Sequence, residues 1–517
     1  MGRTGLLKPK TCATPRVAEE IWDSATHDLK AKTARGAVAS TFGQGASFFV
    51  RFCSMLVLAR LLAPTDFGVV AMATASTEVL GLFQDCGLSL ATVQRESITR
   101  AQSSTLFWIN LGVSGIMAAI CVALAPILTH FFHEGRLFWV TILIGVGFVF
   151  TGASAQHRAL LMRNMHFAAL AVIDIIALLV SVSVGIGMAL AGQGYWALVA
   201  LNLCLPLFSM LGVWTAGGWF PGRPRRGTGV RSMLSYGGAL TLNGVIYHIA
   251  YNADKVLLGR FWGAEVLGIY GRAYNLINVP VQTFFKSTIG TVAFPALSRL
   301  QNDGERLRSY FLKGYGLFLS LVLPVTMGCA LFPRDIIFVF LGPKWGEAAV
   351  VFRLLAPTIF AFALINPLGW FILASGHAGR SVRIALVSAP VLILGYLCGV
   401  GHGAQGVAAG YSIASLLLVV PVVFWSTRGT PVRAFDILRV AAGPSLSVFV
   451  GAAATLAFSP FLHLIGQPLL RLTTGSAILF GVYFVVLWFC GGQKDVYLSV
   501  IREVGIWPFA GRRRQSS

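Results

Sequence analysis

ARLLAPTDFGVVAMA, residues 59–73, lies over GRFWGAEVLGIYGRA, residues 259–273, when the chain is set against itself at an offset of 200. Arg60 then matches Arg260, Gly68 matches Gly268 and Ala73 matches Ala273. A second echo sets Gln193-Gly194 over Gln405-Gly406. Each echo displaces the chain by six apolar segments, an even number that preserves orientation, so the halves are expected to be parallel repeats. Six plus six helices related about the membrane normal is a transporter layout, with the substrate path between the halves.

Composition places those segments in lipid. Of 517 residues, 56% are apolar and 11% charged, where a soluble chain carries about 25% charged residues; mean hydropathy is +0.75. A soluble enzyme, a disulfide-stapled secreted domain and a disordered chain are excluded. A spanning helix needs about 20 apolar residues. Segments of that size fall at 37–60, 66–90, 104–129, 137–156, 167–190, 195–218, 234–258, 266–290, 309–332, 347–373, 381–400, 405–426, 438–458 and 472–491. The expected fold is all-α and integral to the membrane, with about fourteen transmembrane helices: two parallel six-helix repeats around a central cavity, plus two C-terminal helices. The division is a polar tail over 1–36, six-helix bundles over 37–218 and 234–426, a basic linker over 219–233, two extra helices over 427–492 and a basic tail over 493–517.

Charge supplies a second test. The chain holds 40 Lys and Arg against 19 Asp and Glu, a net charge of +21, which in a soluble protein would suggest nucleic acid. Here the cations follow the loops. With the N-terminus placed inside, inward segments hold 29 of them and outward loops only 6: Arg60, Arg136, Arg260, Arg334, Lys344 and Arg471. Lys and Arg concentrate on the cytoplasmic side, so both termini are expected there, and no nucleic-acid partner is expected. The first 36 residues contain no apolar run of signal-peptide length. Eight scattered cysteines without a CxxC pair read as small core residues.

No catalytic constellation emerges. Gly401 to Gly406 spells GxGxxG, but it joins two apolar helices and follows no strand, so a helix hairpin is the reading. His130, His133 and Glu134 stand at the start of an outward loop, where an interfacial role is the simpler account than a metal. No Walker A sequence is present. The expectation is a transporter without a cofactor or metal, and not an enzyme.

The informative residues are polar ones at membrane depth, where a charge costs about 2.5–3.5 kcal/mol near a helix centre. Ser40, Gln44, Ser47, Arg51 and Ser54 share one face of the first helix. Thr74, Glu78, Gly81 and Asp85 form a stripe in the second, and Asn275, Asn278, Gln282 and Lys286 one in the eighth. Tyr247, Tyr251 and Asp254 occupy the face of the seventh helix that the repeat makes equivalent to that of Arg51. At 1.5 Å per residue, Arg51 lies about 21 Å from the inner end of its helix, and Arg272 and Arg353 about 10 Å from the outer ends of theirs. Lys255, Arg272 and Arg353 either line the cavity or snorkel to the headgroups. Asp174, about 12 Å into the fifth helix, is either a cavity carboxylate or a hydrogen-bonded packing residue. Asp254 and Lys255, about 100° apart around the helix, must face different partners.

DKVLLGRFWGAEVLGIYGRAYNL from Asp254, FPALSRLQND from Phe294 and ARLLAPTDFGVVA from Ala59 resemble the polysaccharide-transporter branch of the superfamily of multidrug and oligosaccharidyl-lipid exporters, the Wzx-type flippases. The resemblance covers about residues 36–492. It implies translocation of polyprenyl-diphosphate-linked sugar repeat units across the bacterial inner membrane, for exopolysaccharide, capsule or O-antigen assembly. Membrane lipid and the lipid-linked glycan are then the partners, with a polysaccharide polymerase and chain-length machinery as further candidates. On that reading Arg51, Lys255, Arg272, Lys286 and Arg353 would meet diphosphate. Gln44, Ser47, Tyr247, Tyr251, Asn275, Asn278 and Gln282 would meet sugar, and Glu78, Asp174 or Asp254 would couple an ion. Three rivals differ in testable ways. A multidrug cation antiporter should have a net acidic cavity, a polymerase or glycosyltransferase a substantial outward domain, and a major-facilitator sugar transporter no additional helix pair.

Overall fold

The computed structural model describes residues 29–84, 98–224, 231–285 and 303–489, with a few positions between them. Among these every regular element is helical. The first half contains α1 (Leu29–Leu61), α2 (Pro64–Gly81), α3 (Arg100–Phe132), α4 (Leu137–Arg163), α5 (Phe167–Leu190) and α6 (Tyr195–Gly217). The second contains α7 (Arg231–Phe285), α8 (Gly304–Leu331), the short α9 (Pro333–Phe340), α10 (Ala348–Ala374), α11 (Ala378–Gly399) and α12 (Gly403–Thr427). α13 (Ala434–Ala457), the one-turn α14 (Ser459–His463) and α15 (Pro468–Phe489) follow.

Local sequence sets the boundaries. Thr99 starts α3 through reciprocal bonds: its hydroxyl accepts from the Gln102 amide at 3.2 Å, and the Gln102 side chain accepts from the Thr99 amide at 2.9 Å. Pro64 opens α2, where a missing N–H leaves nothing unsatisfied. Gly263, at φ 80° and ψ −174°, breaks α7 into two limbs, a conformation that a side chain would resist. The limbs correspond to the separate segments expected over 234–258 and 266–290.

The chain is a multi-pass integral membrane protein. Among the described residues, ten segments are long and apolar enough to cross a membrane, where the sequence reading expects about fourteen spans. The difference has a physical source. Gly379–Thr427 counts as one segment although it holds both α11 and α12. α2 and α7 fall outside the ten: polar residues lower their apolarity, among them Asp66, Thr74 and Glu78 in α2, and Asn252, Asp254, Lys255 and Arg272 in α7.

Packing follows the small residues. α11 and α12 lie backbone against backbone: a methyl group at Gly410 would stand 2.0 Å from the Gly395 carbonyl oxygen, and one at Gly399 2.1 Å from that of Gly406. Such seams let apolar helices associate where burial from water offers no drive. The expected hairpin at Gly401 to Gly406 is this seam's turn, with a 3-10 turn over Val400–His402. In the first half α3 packs on α4, α5 on α6 and α1 on α5; in the second, α10 and α11 pack on α12 and α8 on α10. α13 and α15 pair with each other and lean on α8. The halves meet chiefly along α2 and α7.

Candidate functional site

The repeated stretches touch each other. A methyl group at Gly68 would stand 1.7 Å from the Ala264 carbonyl oxygen, and one at Gly268 1.8 Å from that of Pro64. Pro64 and Ala264 are themselves 200 apart, so the contact is reciprocal. α2 and the second limb of α7 meet there with no room for a side chain, at the end of the bundle that carries the α1–α2 turn.

Other groups gather at this Pro64 end. Trp345, fully buried, donates its indole N–H to the Ala59 carbonyl at 2.8 Å and packs edge-on against Phe67. Arg60 donates to the Val339 carbonyl at 2.6 Å, and Phe340 packs against Phe52. The segment formed by α9 and the 3-10 turn Pro343–Trp345 thereby caps α1 of the other half. Its outer flank is held by Arg471 of α15, whose guanidinium binds both oxygens of the nearly buried Asp335, with Nε at 2.9 Å. Arg136 forks onto Glu134 at 2.8 and 2.9 Å and lies over the Tyr195 ring. This loop lies outside the membrane-spanning segments, and the Arg136 hydrogen bonds hold the Glu134 carboxyl below its ordinary range, against a smaller upward push from burial. Glu134 is thus engaged with Arg136, and not with the neighbouring histidines. Arg260 stacks on Phe131. Of the six cations expected in outward loops, Arg60, Arg136, Arg260, Lys344 and Arg471 are tied into contacts.

The described candidate cavity residues other than Asp174 separate into three groups. Arg272 crosses between the halves: its guanidinium stacks on Phe67 at 4.2 Å, and its buried Nε has no hydrogen-bond partner among the described residues. Asp254, fully buried, accepts from the Tyr270 hydroxyl and the Lys255 amide, both at 2.7 Å. Lys255 turns its ammonium elsewhere, to Asn252 Oδ1 at 2.7 Å and over the Tyr274 ring, as the 100° between neighbours requires. Tyr274, Tyr396 and Tyr411 continue this cluster toward α11 and α12. Asn278 spends its amide on the Tyr274 carbonyl at 3.1 Å, and Asn275 is half-buried.

The third group is open. Arg51, Glu78, Gln44 and Arg353 are exposed, Ser47 half-buried and Tyr251 39% exposed. Among the described residues the Arg51 guanidinium makes no hydrogen bond. Glu78 and Lys255 are both near enough to act electrostatically on His248 of α7. Asp174 stands apart from all of these: Arg158 Nη1 donates to its Oδ1 at 2.8 Å while Nη2 reaches Oδ2, and Ser209 also accepts from Arg158. Lys286 and Asp85 lie outside the described residues, as do the side chains of Tyr247 and Gln282.

Several of these partners escape sequence reading. Arg158 falls in what reads as an inward loop, because α4 runs to Arg163 and not to 156. The cap of α9 and Trp345 falls in the longest outward loop. Phe67 and Tyr270 lie inside the quoted repeat, where the paired glycines are the available signal of close approach.

The sequence pattern of the family described as "Polysaccharide biosynthesis protein" matches residues 57–350. An uncharacterized membrane protein of the cps region of Klebsiella pneumoniae is 26% identical over 399 residues, 75% of this chain and 81% of its own length. The lipopolysaccharide biosynthesis protein WzxC of Escherichia coli (strain K12) is 24% identical over 75% of this chain and 80% of its own. In fold, the chain is similar to the lipid II flippase MurJ in an inward closed conformation, with a TM-score of 0.70 at 14% identity, over 90% of this chain and 100% of that one. The chain therefore belongs to the polysaccharide biosynthesis protein family, as its resemblance to Wzx-type transporters implied.

Proposed function

We propose that this protein moves a polyprenyl-diphosphate-linked oligosaccharide repeat unit from the cytoplasmic to the periplasmic leaflet of a bacterial inner membrane, for exopolysaccharide, capsule or O-antigen synthesis. The observation that carries the proposal is the reciprocal glycine contact of α2 and α7, which closes one end between two halves whose helices α1 and α2 carry the exposed charges Arg51 and Glu78. A head group too polar for lipid needs such a lined route, while its tail can stay in the bilayer. The halves, residues 37–218 and 234–426, act as parallel six-helix repeats within about fourteen spans and rock about the central cavity, making and breaking the α2–α7 contact, so the cavity opens alternately.

In this reading Arg51, Lys255, Arg272, Lys286 and Arg353 serve the diphosphate, since guanidinium forks match phosphate oxygens in pairs. Gln44, Ser47, Tyr247, Tyr251, Asn275, Asn278 and Gln282 serve the sugars. Glu78 and Asp254 are the carboxylates for ion coupling; Asp174, held by Arg158, is the least available of the three. The Pro64 end is periplasmic and both termini cytoplasmic, a placement supported by the 29 to 6 distribution of cations. Reporter fusions at Gly192, Gly403 and Gln467 should all report the periplasm, and a cytoplasmic signal at any two would reverse the assignment.

The deciding measurement uses proteoliposomes loaded with a lipid-linked oligosaccharide. Transport should need no ATP and respond to an imposed ion gradient, and Asp254→Asn should weaken that response about tenfold. Unchanged transport after collapse of every gradient removes the coupling and leaves the flippase standing. Efflux of organic cations with no movement of glycan lipid removes the flippase.

A further inference from the structure

Away from the polar helices, the first half carries a half-open apolar crevice between α3, α4 and α6. It holds about 700 Å3 and is walled by Phe107, Trp108, Val149, Phe150, Met210 and Trp214, with Phe220 and Pro221 at its foot. That volume lies within the roughly 300–1,000 Å3 of small-ligand pockets. Its walls offer almost no polar surface, so a water inside would lack the two to four partners it needs. At membrane depth the filling available is hydrocarbon.

The foot of the crevice is built, and its polar groups are already engaged. The Trp108 indole donates to the Gly222 carbonyl at 2.9 Å, and the Gly222 amide donates to Ser104 Oγ at 3.0 Å. The Trp214 indole donates to the Ala153 carbonyl at 2.9 Å. His157 stacks on Trp214 with centroids 4.7 Å apart and binds the Trp219 carbonyl through Nε2 at 3.0 Å. These bonds pin the segment after α6 beneath the crevice. Arg223, exposed, follows Pro221 by two residues and so stands close to the foot. Between Asp174 and Asp254 the sequence contains no acidic residue.

We propose that this crevice binds one acyl chain of an anionic phospholipid, with the lipid phosphate at Arg223. An apolar slot with a cation beside its foot complements an amphiphile with an anionic head. A single acyl chain fills a slot of this volume, whereas a polyprenyl chain of many isoprene units would overfill it. The site is separate from the route proposed for the glycan, and its test does not require transport.

Native mass spectrometry of the full-length protein, titrated separately with phosphatidylglycerol, phosphatidylethanolamine and undecaprenyl phosphate, tests the site. Wild type should retain one phosphatidylglycerol in about tenfold preference to phosphatidylethanolamine, and Arg223→Glu should bring the two near parity, since each cation near a lipid surface contributes appreciably to anionic lipid binding. Leu111, like Val149, lines the slot; Leu111→Trp and, independently, Val149→Trp fill it and should lower retention of both phospholipids about tenfold, with thermal unfolding close to wild type. Undiminished retention in both filled variants overturns the proposal. So does undecaprenyl phosphate displacing phosphatidylglycerol with the same sensitivity to the two tryptophans, which would assign the crevice to the carrier.

Discussion

The Pro64 end of the α2–α7 pair and the opposite stretch of the same helices are made of different chemistry. At the first, Gly68 and Gly268 bring backbones together and Trp345 fills the space beside them. Toward the second, Glu78 on α2 and Arg51 on neighbouring α1 are exposed. Intramembrane charges are tolerated where they face water, a ligand or one another, and backbone contacts form where small residues permit them. α2 with its neighbours α1 and α7 thus carries close backbone contact and exposed charge in succession, an arrangement that would be lost if the polar and small residues were interchanged.

The sharpest way to break this contrast is to thicken the seal. Gly68→Val or Gly268→Val puts a side chain onto a carbonyl 1.7 or 1.8 Å away, and each should abolish transport. Gly271→Ala is the matched control, because nothing lies within 4 Å of a methyl group there, and it should transport as wild type does. A normal rate in either valine variant would show that the contact is dispensable. On the polar side, Arg51→Ala should reduce glycan export by about a hundredfold with little loss of protein from the membrane, and Arg51→Lys should retain part of it, since Lys restores charge without the planar fork. Normal export by the alanine variant would reduce Arg51 to a packed or snorkelled side chain.

Smaller effects probe the supports of the seal. Arg471→Ala leaves Asp335 nearly buried and unpaired, and should lower stability by about 1–3 kcal/mol, read as an earlier thermal transition. Glu134→Gln should cost less, with a definite pH dependence. The native carboxyl is held below its unfolded value by Arg136, so its contribution is present above an unfolded pKa of about 4.3 and is lost as pH falls through the native one. The difference in melting temperature between wild type and Glu134→Gln should therefore narrow as pH drops below about 4.

Much of the architecture was open to reading because lipid imposes simple demands. Apolar length and loop charge are linear properties of sequence, and an offset of 200 between Gly68 and Gly268 survives as a spatial contact. α5, expected over 167–190, spans Phe167–Leu190. The hairpin at Gly401 to Gly406 was likewise visible, since the motif joins two apolar stretches and follows no strand. The site was less legible. The bond between Asp254 and Tyr270 depends on how the two limbs of α7 fold back at Gly263, and Arg158 meets Asp174 only because α4 extends past its apolar stretch. α9 is eight residues long, too short for periodicity to separate it from a loop, so the cap that joins the halves had no linear signature.

That cap has no counterpart in the first half, where only the four residues 133–136 separate α3 from α4. The asymmetry bears on time as well as shape. Trp345, Arg60 and Phe340 join the halves at the Pro64 end. If the halves rock as proposed, these contacts favour the state in which that end is closed, and a bias of about 1.4 kcal/mol already fixes a tenfold ratio of populations. An unloaded molecule would then dwell with the Pro64 end shut, and an antibody or inhibitor approaching from that side would meet a sealed surface for most of the cycle.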